Sequence, residues 1–121
     1  MMSDTTPWPT DIRLKRKERI LEIAFEDGTA FRLPAELLRV ESPSAEVQGH
    51  GASQKKTVPG KANVAIEALE PVGNYAVRIV FDDGHDTGLY TWETLYRLGR
   101  NGEKLWTDYL TALEREGLSR E

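Results

Sequence analysis

Two stretches of this chain follow one plan, and that plan limits the folds open to it more than any other feature. "EIAFEDGTAFRLPAELL" (residues 22–38) and "RIVFDDGHDTGLYTWETL" (residues 78–95) each read as strand, acidic-Asp-Gly turn, strand, short helix. Phe25 matches Phe81, Asp27 matches Asp83 and Gly28 matches Gly84, with one more residue between turn and helix in the second copy. Alternating apolar and polar residues mark half-buried strands, and Asp-Gly between such runs marks a hairpin. Asp27-Gly28 suits a type I′ turn, whose two central residues need positive φ. Two copies are too few for a solenoid, so each must bury its apolar face against the other. The expected fold class is therefore α+β: two β-hairpin-plus-short-helix units forming antiparallel sheet, with a C-terminal helix packed on them.

The remaining segments fit around these units. Residues 1–10 read as a flexible leader with two prolines around Trp8, residues 11–117 as one domain and residues 118–121 as a tail. "RLKRKER" (13–19), alternating with Leu14 and Ile20, reads as the polar side of a strand. "PAELLRV" opens with Pro34 where a helix tolerates proline, at its first position. Residues 41–62 show no sustained periodicity and form the longest loop. "NVAIEAL" reads as a strand, "EPVGN" as a turn and "YAVRIVF" as the strongest strand. Thr91 is a good N-cap for "WETLYRLG", a short helix stopped by Gly99. "NGEKLWTDYLTALEREG" places Leu105, Tyr109, Ala112 and Leu113 on one helical stripe, with Trp106 and Leu110 beside it, and ends at Gly117.

Several functions are disfavoured by what the chain contains. A chain of 121 residues can bury a core without covalent staples. With no cysteine there are no disulfides, thiolate metal sites or cysteine nucleophiles. The net charge is −4 and the charges are interspersed, so no extended basic face is offered to nucleic acid. Neither an export signal nor a membrane-length apolar run is present, which leads to the expectation of a soluble, cytoplasmic protein with no membrane partner. G-x-S-x-G, the P-loop and the dinucleotide glycine motif are all missing.

The chemistry-bearing residues gather in two places. His85 follows the second turn with Asp82, Asp83 and Asp86 around it, and His50 sits between glycines in the long loop. Imidazole plus carboxylates suits zinc or iron if the groups converge. In a hairpin adjacent side chains alternate between faces, which favours a solvent-facing histidine instead. The residues after His50 and His85 read Gly-Ala and Asp-Thr, so neither supplies the His-x-acid step of a non-haem iron site. An acid–base pair of His85 with Asp86 is a third reading. Candidate residues for a binding surface are Ser42, Ser44, Glu46, His50, Asp83, His85, Asp86 and Trp92.

The segments "PTDIRL", "LEIAFEDG", "LPAELLRVESPSAEVQGHG", "EPVGNYAVRIVFDDGHDTGLYTWETLYRLG" and "LWTDYLTAL" resemble the γ-butyrobetaine hydroxylase-like N-terminal domain, from about Pro9 to Leu113. In the hydroxylases this domain precedes a catalytic jelly-roll, and the expectation here is the domain without it. It holds a structural zinc through Cys-Pro-Cys-x-x-Cys and a later histidine, positions that fall on Ser42, Ser44, Val47 and His85. Three of the four ligands are missing, so the resemblance implies a lost zinc site. The same domain also resembles a segment attached to Mrp-like P-loop ATPases implicated in iron–sulfur cluster assembly. The resulting expectation is a non-catalytic binding or adaptor module with a protein partner, such as that ATPase or an oxygenase, and no cofactor. The alternative is a regulatory domain that binds zinc or iron through His50 and His85.

Overall fold

The computed structural model describes residues 6–49 and 55–121. Six strands and four helices follow in the order β1 (Pro9–Lys15), β2 (Ile20–Phe25), β3 (Ala30–Pro34), α1 (Ala35–Val40), α2 (Ala45–Gln48), β4 (Ile66–Val72), β5 (Ala76–Phe81), β6 (Leu89–Thr91), α3 (Trp92–Arg100) and α4 (Gly102–Arg115). The strands form two antiparallel three-stranded sheets, β1-β2-β3 and β4-β5-β6. This is the expected α+β class, and the repeated unit is longer than the hairpin: three strands and a helix, used twice.

The two halves agree in detail. Trp8 O accepts from Glu26 N–H and Ala65 O from Asp82 N–H, both at 2.9 Å. In return the Glu26 carboxylate accepts from Trp8 N–H and the Asp82 carboxylate from Ala65 N–H. Each first strand carries a register shift at the matching place, Pro9/Asp11 and Ile66/Ala68. The first hairpin turn differs from the type I′ expectation, and the second has the same form as the first. Gly28 and Gly84 have φ of 89° and 91°, whereas Asp27 and Asp83 keep negative φ. Gly28 N–H donates to Phe25 O and Gly84 N–H to Phe81 O, and the pairs Phe25–Thr29 and Phe81–His85 close the hairpins. That is a type I turn followed by a glycine bulge, which needs one positive φ instead of two. The spared aspartates use their carboxylates to accept the N–H two residues on, from Thr29 and His85.

One core joins the halves. Leu21, Ile23, Phe25 and Leu33 from the first sheet meet Ile79, Phe81 and Tyr90 from the second, with Leu38 of α1 and Leu95 and Leu98 of α3 between them. A smaller cluster, Val40, Tyr109 and Leu113, seats α4, where the Tyr109 hydroxyl donates to Val58 O at 2.6 Å. Of the stripe read from sequence, Tyr109 and Leu113 are buried while Leu110 is exposed.

Several boundaries fall elsewhere than the sequence suggested. Pro9 and Thr10 belong to β1, because Phe25 offers a partner for the chain that early. Residues 118–121 lie against the body: Ser119 O and Arg120 O accept from Gly60 and Ala62, and Arg120 grips Glu36 with two hydrogen bonds. The basic run ends β1 at Lys15 and then turns, with Arg19 at φ 57°. Pro34 is the N-cap of α1 and not its first residue. The long loop contains α2, and β4 runs on through Pro71, which an edge strand tolerates. Gly99 does not stop α3. A Cβ there would lie 2.3 Å from the Phe31 ring, so Gly99 lets the helix approach β3.

Candidate functional site

The pseudo-repeat creates two equivalent junctions, where the turn of one half meets the helix of the other. Arg39 and Tyr96 are each the fifth residue of their helix. The Tyr96 hydroxyl donates to the Asp27 carboxylate at 2.7 Å, and Arg39 Nε donates to Asp83 at 2.8 Å. At the first junction the space behind this contact is apolar, filled by the edge-packed rings of Phe25, Phe31 and Tyr96 against Gly99. At the second junction Gly88 takes the place of Phe31 and Ser42 the place of Gly99, each at the matching distance from its helix start. A polar cluster fills the vacated volume.

That cluster is assembled from three local structures. α1 ends at Val40, and Ser42-Pro43 turns the chain away before α2 begins. Ser44 is the N-cap of α2, but its hydroxyl does not cap the helix; it turns inward. The glycine bulge of the second hairpin aims His85 toward them. Ser42 Oγ lies 2.9 Å from His85 Nε2, Ser44 Oγ lies 3.4 Å from the same nitrogen, and the two hydroxyls are 3.2 Å apart. Ser44 N–H also donates to Ser42 Oγ, and Gln48 holds the turn through Ser42 O. Nδ1 of His85 faces the Glu46 carboxylate at 3.4 Å, and Glu46 accepts from the Thr87 hydroxyl. A carboxylate only accepts, so the ring proton belongs on Nδ1, and Nε2 accepts from Ser42.

The electrostatics favour a neutral ring. Burial, then the Arg39 cation, push the His85 imidazole below its ordinary value, and Glu46 and Asp83 offset this only in part. Asp83 behaves oppositely. Burial pushes its carboxyl up, but hydrogen bonds from Lys61, the His85 N–H and Arg39 outweigh that and hold it at about 2. Arg39 Nη1 is buried and finds no hydrogen-bond partner among the described residues.

Ser42, His85 and Glu46 stand in the order of a hydrolase relay. A nucleophile must be reached, however, and Ser42 is 0% exposed and His85 5%. The same four positions, Ser42, Ser44, Val47 and His85, are those where the resemblance implies zinc ligands, and all four are buried. The donor set does not fit the metal. Two neutral hydroxyls and an isopropyl group replace three thiolates, and the imidazole nitrogen is already bonded to Ser42. Among the described residues no three His, Asp or Glu side chains are grouped to hold an ion.

The other candidates are scattered. His85 is neither solvent-facing nor paired with Asp86, whose carboxylate turns to Arg78 at 3.6 Å. Trp92 is 8% exposed and its Nε1 donates to Asn74 O, so it is a core residue and not a surface anchor. Ser42 and Ser44 are likewise internal. Glu46 is exposed, Asp86 is half-buried, and His50 lies outside the described residues. Sequence reasoning missed Arg39, Lys61 and Gly88; the repeat register, which pairs Arg39 with Tyr96, was the signal that would have found the first. A separate cavity of about 500 Å³ borders Phe31, Leu37, Gly102 and Trp106, and none of the candidate residues lines it. In its wall Arg120 holds Glu36 and stacks 5.2 Å from Trp106. Among the described residues no helix is long and apolar enough to cross a membrane.

Comparison with known proteins agrees with this architecture. One solution NMR structure is 55% identical, with a TM-score of 0.85, covering 100% of this chain and 90% of the other. A second is 45% identical with a TM-score of 0.83, over 96% and 91%. A crystal structure of a protein of unknown function in the DUF971 family, from Acidithiobacillus ferrooxidans ATCC 23270, is 41% identical with a TM-score of 0.67, over 80% and 98%. No curated protein matches the chain. The sequence profile described as gamma-butyrobetaine hydroxylase-like, N-terminal, matches residues 12–96, and the chain belongs to that family.

Proposed function

We propose that this chain is a non-catalytic binding module whose contact face is the outer side of the second junction. One observation carries the reading: the reactive-looking groups point inward and are saturated, while their rim points outward. Ser42 and His85 are sealed in the interior, while at the surface Thr87 donates to the exposed Glu46 carboxylate and Leu89, two residues on from Thr87, is 43% exposed. An apolar anchor ringed by polar groups is what a modest protein–protein contact needs. The exposed Glu46 carboxylate suits a partner that offers a basic group, Asp86 being already turned to Arg78. The favoured partner is an Mrp-like P-loop ATPase of iron–sulfur cluster assembly, with an oxygenase-type enzyme as the other arm of the test; both rest on the company this domain keeps in its family.

The experiment is calorimetric titration of purified ATPase with the wild-type chain and with Leu89→Asp and Glu46→Lys. Both substitutions are at exposed positions, so the amide NMR spectrum should stay folded. Binding should weaken by about tenfold or more for each, as expected when an interface anchor or a complementary charge is lost. Wild-type affinity in both variants would refute this face. Trp92→Ala cannot serve, because Trp92 is internal and its loss would report on folding.

A further inference from the structure

We infer that hydrogen bonding among Ser42, Ser44 and His85 holds the second junction as an ion-free latch, in a space that keeps the proportions of a four-coordinate metal centre. The cluster's three polar atoms form a triangle with edges of 2.9, 3.4 and 3.2 Å. Tetrahedral zinc with bonds of about 2.0–2.3 Å would set its ligand atoms about 3.5–3.8 Å apart. The triangle is that arrangement drawn in slightly, as direct hydrogen bonds require. The fourth position of the ligand set that the resemblance implies is Val47. Val47 lies one turn beyond Ser44, its N–H donating to Ser44 O at 3.1 Å, and it is buried.

The enclosing wall has the same character. A Cβ on Gly88 would fall 2.6 Å from Ser42 Oγ and 3.0 Å from the Tyr90 ring, so only glycine leaves the cluster its room. At the equivalent junction the room is taken by the Phe31 ring. A junction filled only for packing would use an apolar side chain, as the first one does. The second instead spends two buried hydroxyls and a neutral imidazole, each satisfied by the others, to tie the α1–α2 connection to the hairpin 43 residues away in sequence. The latch therefore works without metal, and three thiols would make it a metal centre.

The test has a loss arm and a gain arm. In the wild-type protein, a chelator and added zinc should both leave the thermal midpoint unchanged, and cobalt(II) should give no absorption from a bound ion. The variant Ser42→Cys, Ser44→Cys, Val47→Cys should take up cobalt(II) at one per chain, releasing its thiol protons and showing thiolate-to-cobalt absorption. Zinc should displace the cobalt and raise the variant's midpoint, and adding His85→Ala should weaken uptake by about tenfold or more. A triple variant that folds only when zinc is added also supports the inference. If it folds under neither condition, the milder Ser42→Cys, Ser44→Cys pair decides: tighter cobalt binding than wild type supports the latch, and equal binding overturns it. A folded triple variant that ignores cobalt overturns it too, as does a wild-type protein that loses stability to chelator.

Discussion

Gly99→Ala offers a sharp test of how the two halves interlock, because helix propensity and packing predict opposite signs. On propensity alone, alanine inside an exposed helix gains about 1 kcal/mol over glycine. The built-in neighbour reverses this: the new Cβ would sit 2.3, 2.4 and 2.7 Å from three atoms of the Phe31 ring. Carbon pairs prefer about 3.5–4.0 Å, so ring or helix must give by about 1 Å. Phe31 packs edge-on against Phe25 and Tyr96, at centroid distances of 6.1 and 5.7 Å, and can yield only toward the cavity it borders, giving up both contacts. Overpacking of this kind costs about 1–3 kcal/mol, and the loss of both aromatic contacts if the ring moves argues for the upper half of that range. The net expectation is a destabilisation of about 1–2 kcal/mol after the propensity gain is subtracted. Urea unfolding measures it. In a Phe31→Ala background the clash is gone, and the same substitution should stabilise. The two backgrounds should differ by about 2–3 kcal/mol, a coupling that a double-mutant cycle isolates. A stabilising Gly99→Ala in the wild-type protein, or equal effects in both backgrounds, would refute the reasoning.

Three further expectations concern the latch and its surroundings. His85→Ala should cost about 2–4 kcal/mol in urea unfolding, since it opens a cavity and strands the hydroxyls of Ser42 and Ser44. The Asp83 carboxyl, held at about 2 against 3.8 when free, stabilises the fold above pH 3.8 and loses that contribution as pH falls toward 2. Converted in full the difference would be about 2 kcal/mol; solvent screening of this partly exposed carboxylate reduces it to about 1 kcal/mol, and acid unfolding of Asp83→Asn should lack this part of the pH dependence. Arg120→Ala removes both hydrogen bonds from the buried Glu36 carboxylate and should cost about 1–3 kcal/mol in thermal unfolding; adding Glu36→Gln should recover part of it.

The fold was legible in the sequence where local chemistry repeats. The paired Phe-acidic-Asp-Gly turns, the Thr91 cap and the alternating strands lie within a few residues of one another, and each was read correctly as an element. Thr94 N–H does donate to the Thr91 hydroxyl at 3.1 Å. What stayed hidden depends on partners distant in sequence. Nothing near Gly99 announces that Phe31 will press on it, so the glycine read as a helix stop. Nothing near His85 says that two serines from the first half will enclose it, so alternation suggested solvent. The resemblance to the zinc-binding domain did bring Ser42, Ser44, Val47 and His85 together, because a ligand set is a record of spatial proximity. It could not tell that hydroxyls would satisfy the imidazole. Trp92 misled for the same reason as Gly99: an aromatic beside a hairpin looks like an anchor until its burial is known.

The most direct measurement is nitrogen NMR of the His85 ring through a pH titration, with and without stoichiometric zinc. The account predicts a neutral ring protonated at Nδ1, resisting protonation below its ordinary value of 6.5 because burial and Arg39 disfavour the cation. Zinc should leave its ring nitrogens unmoved. A ring that titrates like a free histidine, or that shifts when zinc is added, would contradict the latch.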